Sequence, residues 1–273
     1  MTARDVHRAI DIWGPDVGSL KGKTTSHQAK LEEKLPLLGR EHETEQIIYI
    51  HIMFVNQIPY LVTVVQPIEF LFVSKLAKKD ERKKTAIASM TKHKFTVKMI
   101  RVDGEGGINT DWFHNKVGLR GIILDTSGAG EAVAVVERKI RHIKERVRSV
   151  INTLPFDLSE KLEVWLIKYA VSRIVLAPTR NSIKHISPRE KLSGRKIDVD
   201  KEIKHGFGDY VQVHNDVIDN STKSRTAGAI ALMSSGNLEG SLYYMLLANE
   251  QIVKRTKATV LPMPNEVNKT WIE

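Results

Sequence analysis

Residues 46–76, QIIYIHIMFVNQIPYLVTVVQPIEFLFVSKL, read as three consecutive β-strands. QIIYIHIMFV (46–55) is a nearly continuous apolar run of strand length, rich in β-branched residues. Asn56 and Gln57 separate it from IPYLVTVV (58–65), which predicts a hairpin turn; IEFLFVSKL (68–76) is the third strand. Working outward, KKDERKKTAIASMTKH (78–93) reads as a helix, and KFTVKMIRV (94–102) as a fourth strand running into Asp103-Gly104. A short helix is expected near Asn109–Lys116, and GIILD (121–125) is a candidate fifth strand. Three antiparallel-looking strands followed by alternating helix and strand predict an α/β fold, a mixed sheet with flanking helices.

Downstream, Glu131 to Ile151 is the clearest helix. Val136, Ile140, Ile143, Val147 and Val150 recur at three- and four-residue steps and make one apolar stripe. At 100° per residue, Arg141, Lys144 and Arg148 fall within about 40° of Glu137. One flank of the helix therefore carries a single acid followed by three cations. Pro155 breaks the run, and DLSEKLEVWLIKYAVSRIVLA (157–177) reads as a further helix. The last region holds DYVQVHND, AGAIALMS, SLYYMLLA and IVKRTKATVL, with SSGNLEG as a turn signal. Short strands at that spacing predict a small all-β, barrel-like domain.

Composition narrows the function classes. The chain has 273 residues, 41 % hydrophobic and 27 % charged, with a formal net charge of +10. Those are globular proportions. The basic excess is spread along the chain, which makes nucleic acid the natural partner. With no cysteine, disulfides, thiol catalysis and cysteine-ligated zinc are excluded within these residues. No apolar run is long enough for a transmembrane helix, so no membrane partner is expected. MTARDVHRAIDIWGPDV lacks a signal-peptide core, and an intracellular location is expected. The expected division is an N-terminal arm or linker at 1–45, an α/β core at 46–178, a linker at 179–204, a small β domain at 205–265 and a tail at 266–273. Lys254, Arg255 and Lys257 in the β domain are candidate DNA contacts, with Arg141, Lys144 and Arg148 in the core. Such contacts go to phosphates and carry little sequence information.

Phosphoryl transfer on DNA uses divalent metals held by acidic side chains. The order of strands and helices is that of an RNase H-like core, which supplies acids from mid-strand one, the end of strand four and a later helix. Asp103 meets the second requirement, ending strand four beside Gly104, and Glu137 meets the third. The first position is His51. Glu45 cannot replace it, because six residues of extended strand span about 20 Å; Glu69, on the third strand, is a conceivable neighbour. Taken alone, an Asp-Gly is usually a turn, a glutamate in a basic helix an ion-pair partner, and a histidine in an apolar strand a hydrogen-bonded core residue. GSLKGKT has three residues where a phosphate-binding loop needs four before Gly-Lys-Thr, and HETEQ lacks the second histidine of a zinc protease motif.

Several segments, in order, resemble the integrase region of copia-type LTR retrotransposon polyproteins. These are GPDVGSLKGKTT (14–25), IYIHIMFVNQIP (48–59), RVDGEG (101–106), VVERKIRHIKERVRSV (135–150), SPREKLSGRKID (187–198), FGDYVQVHND (207–216), TAGAIALMSSGNLEGSLYYMLL (226–247) and VLPMP (260–264). The likeness covers nearly the whole chain. It implies a retroviral-type, RNase H-like integrase core and a C-terminal DNA-binding barrel. It also implies magnesium or manganese held by Asp103 and Glu137, with 3′-end processing and strand transfer into target DNA. A homo-oligomer acting in the nucleus is implied as well. The chain departs from the family in two ways: the histidine/cysteine zinc module has no counterpart in these residues, and His51 stands where the family has aspartate. Imidazole suits magnesium poorly. If losing the carboxylate removes about 4 kcal/mol of transition-state stabilisation, the rate falls roughly a thousandfold. The expectation is thus an integrase-like DNA-binding protein with impaired catalysis. The alternatives are a non-catalytic DNA-binding derivative and a decayed remnant.

Overall fold

The computed structural model describes residues 3–23, 45–76, 96–102, 111–126, 131–179, 186–215 and 222–265. The chain folds as two compact units. One comprises Met1–Leu35, Val150–Tyr169 and Asp198–Glu273; the other comprises Pro36–Ser149 and Ala170–Ile197.

The second unit is built on a five-stranded sheet of β1 (Gln46–Val55), β2 (Ile58–Gln66), β3 (Phe70–Lys75), β4 (Val97–Val102) and β5 (Ile123–Asp125), in the order β3-β2-β1-β4-β5. β1, β2 and β3 pair antiparallel, while β4 and β5 add in parallel to β1. This mixed order is the RNase H-like arrangement. The β1–β2 turn is as tight as the sequence requires, with Val55 opposite Ile58. Asn56 and Gln57 both sit at positive φ, 45° and 65°, the combination a two-residue turn between twisted strands demands. β1 and β2 are buried on both faces, which explains their unbroken apolar run: Ile48, Ile50, Leu61, Val62 and Val64 are all at most 2 % exposed. Helix α3 (Asp111–Gly118) lies before β5, with Phe113 and Val117 buried.

Helix α4 spans Glu131–Ile151 and α5 spans Glu160–Leu176. Along α4 the stripe buries Val136, Ile143 and Val147, with Ile140 and Val150 half-buried. The predicted helix at 78–93 falls outside the described residues.

The stretch at 179–204, expected as linker, contains two short helices, α6 (Pro188–Ser193) and α7 (Val199–Glu202). The local signals are explicit. Ser187 accepts from the Glu190 amide while Glu190 accepts from that of Ser187, a closed capping box. Pro188 opens the helix and Gly194 closes it in the left-handed region, at φ 67°. Burial opposes ionisation of Glu190, but the amides of Ser187 and Ile197 outweigh it and hold the carboxyl below its ordinary value. Asp198 caps α7, its carboxylate accepting from the Lys201 amide.

In the first unit, residues expected as an extended arm form α1 (Ala3–Trp13) and α2 (Val17–Lys23). Gly14 terminates α1 at φ 77°, and the Asp16 carboxylate accepts from the Ser19 amide at 2.7 Å to start α2. Gly18 and Gly22 lower helix propensity, which is why this stretch reads as loop from sequence.

The same unit holds a second sheet, wholly antiparallel, of β6 (Tyr210–His214), β7 (Thr226–Ser234), β8 (Leu242–Leu246), β9 (Ile252–Arg255) and β10 (Ala258–Val260). Its order is β10-β6-β7-β8-β9. The two edge strands are neighbours in sequence, separated only by Thr256 and Lys257, so the sheet must curl until its edges meet. The Arg255 side chain helps hold that seam: Nε donates to the His214 carbonyl at 3.0 Å. Val211, Val213, Ala229, Ala231, Leu242 and Tyr244 form the core. On the opposite face of the sheet a buried polar ladder runs from the Thr226 hydroxyl to Gln212 Oε1 and from Gln212 Nε2 to the Tyr210 hydroxyl.

Candidate nucleic-acid interface

In the α/β unit, the described pairing of β1 with β4 reaches Ile50 opposite Val102, and from His51 to Val55 β1 pairs with β2. Beyond that point lies a cavity of about 410 Å³, lined by His51, Ile52, Met53 and Phe54 from β1 and by Glu137, Ile140, Arg141, Lys144 and Arg148 from α4. Ligands of α/β sheets collect where parallel strands end, because backbone groups and loop side chains are free of the sheet there.

Five of the sequence-predicted site residues thus share one cavity: His51, Glu137, Arg141, Lys144 and Arg148. The helical flank inferred from 100° steps accounts for four of them. His51 and Lys144 are half-buried, whereas Glu137, Arg141 and Arg148 are exposed. Asp103 lies outside the described residues. Lys254, Arg255 and Lys257 lie in the other unit, on β9 and the turn after it. Two Arg255 donors are committed to backbone, at His214 O and Lys254 O, so this arginine is a strut of the barrel as well as a cation.

Neither glutamate considered as a substitute for the missing acid lines this cavity. Glu45 pairs with Lys98, and the Glu69 carboxylate lies 3.8 Å from Lys139 Nζ, with both side chains of the latter pair largely buried. Glu69 is held at positive φ, 59°, in the turn that opens β3. Nearby on α4, His142 is driven toward its neutral form, first by burial and then by Arg146 and Lys139, against a smaller opposing effect of Glu145.

Among the described residues, which do not include Asp103, the donor set does not suit a pair of magnesium ions. Among the described residues the cavity offers one carboxylate and one imidazole, and three cations face them. Magnesium requires several hard oxygen ligands, and each added cation raises the cost of a dication. Among the described residues, no group of three or more histidine or acidic side chains is arranged to hold a metal. What the cavity suits is an anion: three positive side chains outnumber the one negative. Phosphate oxygens, which arginine can grip through two parallel N–H donors, are the matching chemistry.

Phe54 is a residue the sequence reading missed. It is the penultimate residue of β1, is 53 % exposed and lines the same cavity. The signal was weak, since it sits inside an apolar run whose other members, Ile48, Ile50 and Ile52, are buried.

No protein-family model matches the sequence, and no curated protein does. Among solved structures, the chain is similar to the catalytic core domain of BIV integrase in crystal form I. The TM-score is 0.43 and the identity 17 %, over 54 % of this chain and 92 % of that one. No helix among the described residues is long and apolar enough to cross a membrane.

Proposed function

We propose that this chain is an integrase-like DNA-binding protein of the copia-type retrotransposon class, whose strand-transfer chemistry is impaired by histidine at position 51. The single observation that carries this reading is the shared cavity: His51 on β1 and Glu137 on α4 both line it, with Arg141, Lys144 and Arg148 beside them. In an RNase H-like core that is where DNA phosphate and metal meet. The cations hold phosphate. Asp103 and Glu137 are the residual metal ligands of the reading, and magnesium or manganese is the metal they would take, supplying Lewis-acid activation of the attacking oxygen. His51 cannot contribute the missing negative charge. The β unit adds Lys254, Arg255 and Lys257 as further phosphate contacts. Element ends and target DNA are the proposed partners, a homo-oligomer the working form and the nucleus the site of action.

A second reading shares the DNA binding without the chemistry: a non-catalytic derivative or remnant of such an integrase. The excess of cations over carboxylates in the cavity favours it. The deciding experiment is 3′-end processing and strand transfer in magnesium and in manganese, for the wild-type chain and His51→Asp, with DNA binding measured in parallel in EDTA. The first reading expects DNA binding in all cases, with activity that is weak in the wild type and raised on the order of a thousandfold by the substitution. Full wild-type activity that His51→Asp leaves unchanged would overturn the impairment. DNA binding with no activity in either protein selects the second reading. Absence of DNA binding removes both.

A further inference from the structure

Resting on the DNA-binding reading, we infer that the cavity takes unpaired nucleotides, with phosphates along the α4 flank and a base stacked on Phe54. Two chemistries meet there. Arg141, Lys144 and Arg148 line one side, spread over roughly 10 Å of helix axis. On the other side lies Phe54, an aromatic residue that is 53 % exposed. A single exposed apolar side chain is ordinary on a protein surface. This one lies within a cation-rich cavity, where an apolar ring weakens solvation of the cations and contributes nothing to holding phosphate.

A ligand that repays both features must carry negative charge and a flat apolar face within a few ångströms of each other. Duplex DNA offers its phosphates but keeps its base faces stacked inside. An acidic peptide offers charge without the flat face. Single-stranded nucleic acid offers both at every residue, and cationic grooves with aromatic platforms are how such strands are held without sequence preference. The span of the three cations matches about three nucleotides at the duplex rise of about 3.4 Å. Phe54 sits at the turn-ward end of β1, close in sequence to Asn56 and Gln57, with Pro59 as its register partner on β2. The strand pairing and the two-residue turn fix the backbone at Phe54, so little backbone ordering is lost on binding.

The test is anisotropy titration of the full chain in EDTA with fluorescent oligo(dT) and with a blunt duplex of equal length. Wild type, Phe54→Ala, Phe54→Leu, Phe54→Trp and Arg148→Gln are compared. Oligo(dT) should bind more tightly than duplex. Phe54→Ala and Phe54→Leu should each weaken oligo(dT) binding about 5- to 100-fold, the range for one lost base stack, while duplex binding stays as it was. Phe54→Trp should retain or tighten it. Arg148→Gln should weaken both ligands and flatten the salt dependence of each. Should Phe54→Ala misfold, the Leu and Trp pair decides, because both keep an apolar side chain and only one keeps a ring. Equal losses for single strand and duplex, or oligo(dT) binding insensitive to Phe54, overturn the inference while DNA binding stands. A chain that binds neither DNA fails the underlying reading instead.

Discussion

Ile50 and Val102 are register partners across the parallel β1–β4 seam, 2 % and 4 % exposed. The residue after Ile50 is His51, and the residue after Val102 is Asp103, which lies outside the described residues. Parallel pairing carries both strands forward in the same direction. The seam therefore joins two segments far apart in sequence, and it is here that the proposed function places the chemistry. This relationship makes the histidine at 51 testable as a charge deletion.

Replacing His51 with aspartate should create a manganese site that the wild type binds weakly. Thermal unfolding with and without manganese measures this, since a ligand that binds only the folded state raises the midpoint. The expected result is a manganese-dependent rise in His51→Asp that disappears in His51→Asp with Asp103→Asn. A rise that survives the second substitution would remove Asp103 from the site.

Salt should report the phosphate contacts one by one. For single-stranded DNA each neutralised phosphate contributes about 0.7 to the slope of log K against log salt. Arg141→Gln, Lys144→Gln and Arg148→Gln should each reduce the slope by roughly that amount, and so should Lys254→Gln and Lys257→Gln. Arg255→Gln should differ, also lowering the unfolding midpoint because its guanidinium holds the His214 carbonyl across the barrel seam. Unchanged slopes for the three α4 variants would show that the strand passes elsewhere.

Acid should destabilise the protein through two histidines. His205 is held below its ordinary value of 6.5 by burial first and by Lys204 second, against Asp209. His142 is lowered for the reasons given above. The unfolded chain then binds more protons than the folded one, so stability is fully present above about 6.5 and is lost as pH falls from there. The unfolding midpoint should drop between pH 7 and pH 5, and His205→Gln should shrink that drop. His205 lies against Tyr244, ring centroids 6.0 Å apart, so a variant with the wild-type pH profile would mean that the barrel relaxes around the charge.

Gly208 should tolerate no side chain. Its φ is 90°, and a Cβ there would clash with Leu154 Cδ2. Gly208→Ala combines backbone strain with overpacking and should cost about 1–3 kcal/mol in chemical denaturation. Pairing it with Leu154→Ala should recover part of that loss. An alanine variant of unchanged stability would contradict the close approach.

The local elements were legible because their information is local. Unbroken apolar character marks β1 and β2 as buried on both faces, Asn56-Gln57 marks their turn, and the three- and four-residue steps of α4 identify its buried stripe. The same periodicity put Glu137 on one flank with Arg141, Lys144 and Arg148. The helices at Ala3–Trp13, Val17–Lys23 and Pro188–Ser193 were equally local but were read as arm or linker. Polar composition and glycines outweighed cap signals such as Ser187 with Glu190. What required the tertiary structure was every relationship set by distant partners. The apolar pattern of β4 suits any buried strand; only competition for burial and backbone hydrogen bonds decides that Val102 pairs with Ile50. Likewise, periodicity cannot tell that Glu69 meets Lys139 or that the β9 and β10 edges must converge. Nor does it show that Phe54, written in sequence like a core residue, is exposed and lines a cavity with three cations, because what covers a strand face is decided by distant elements.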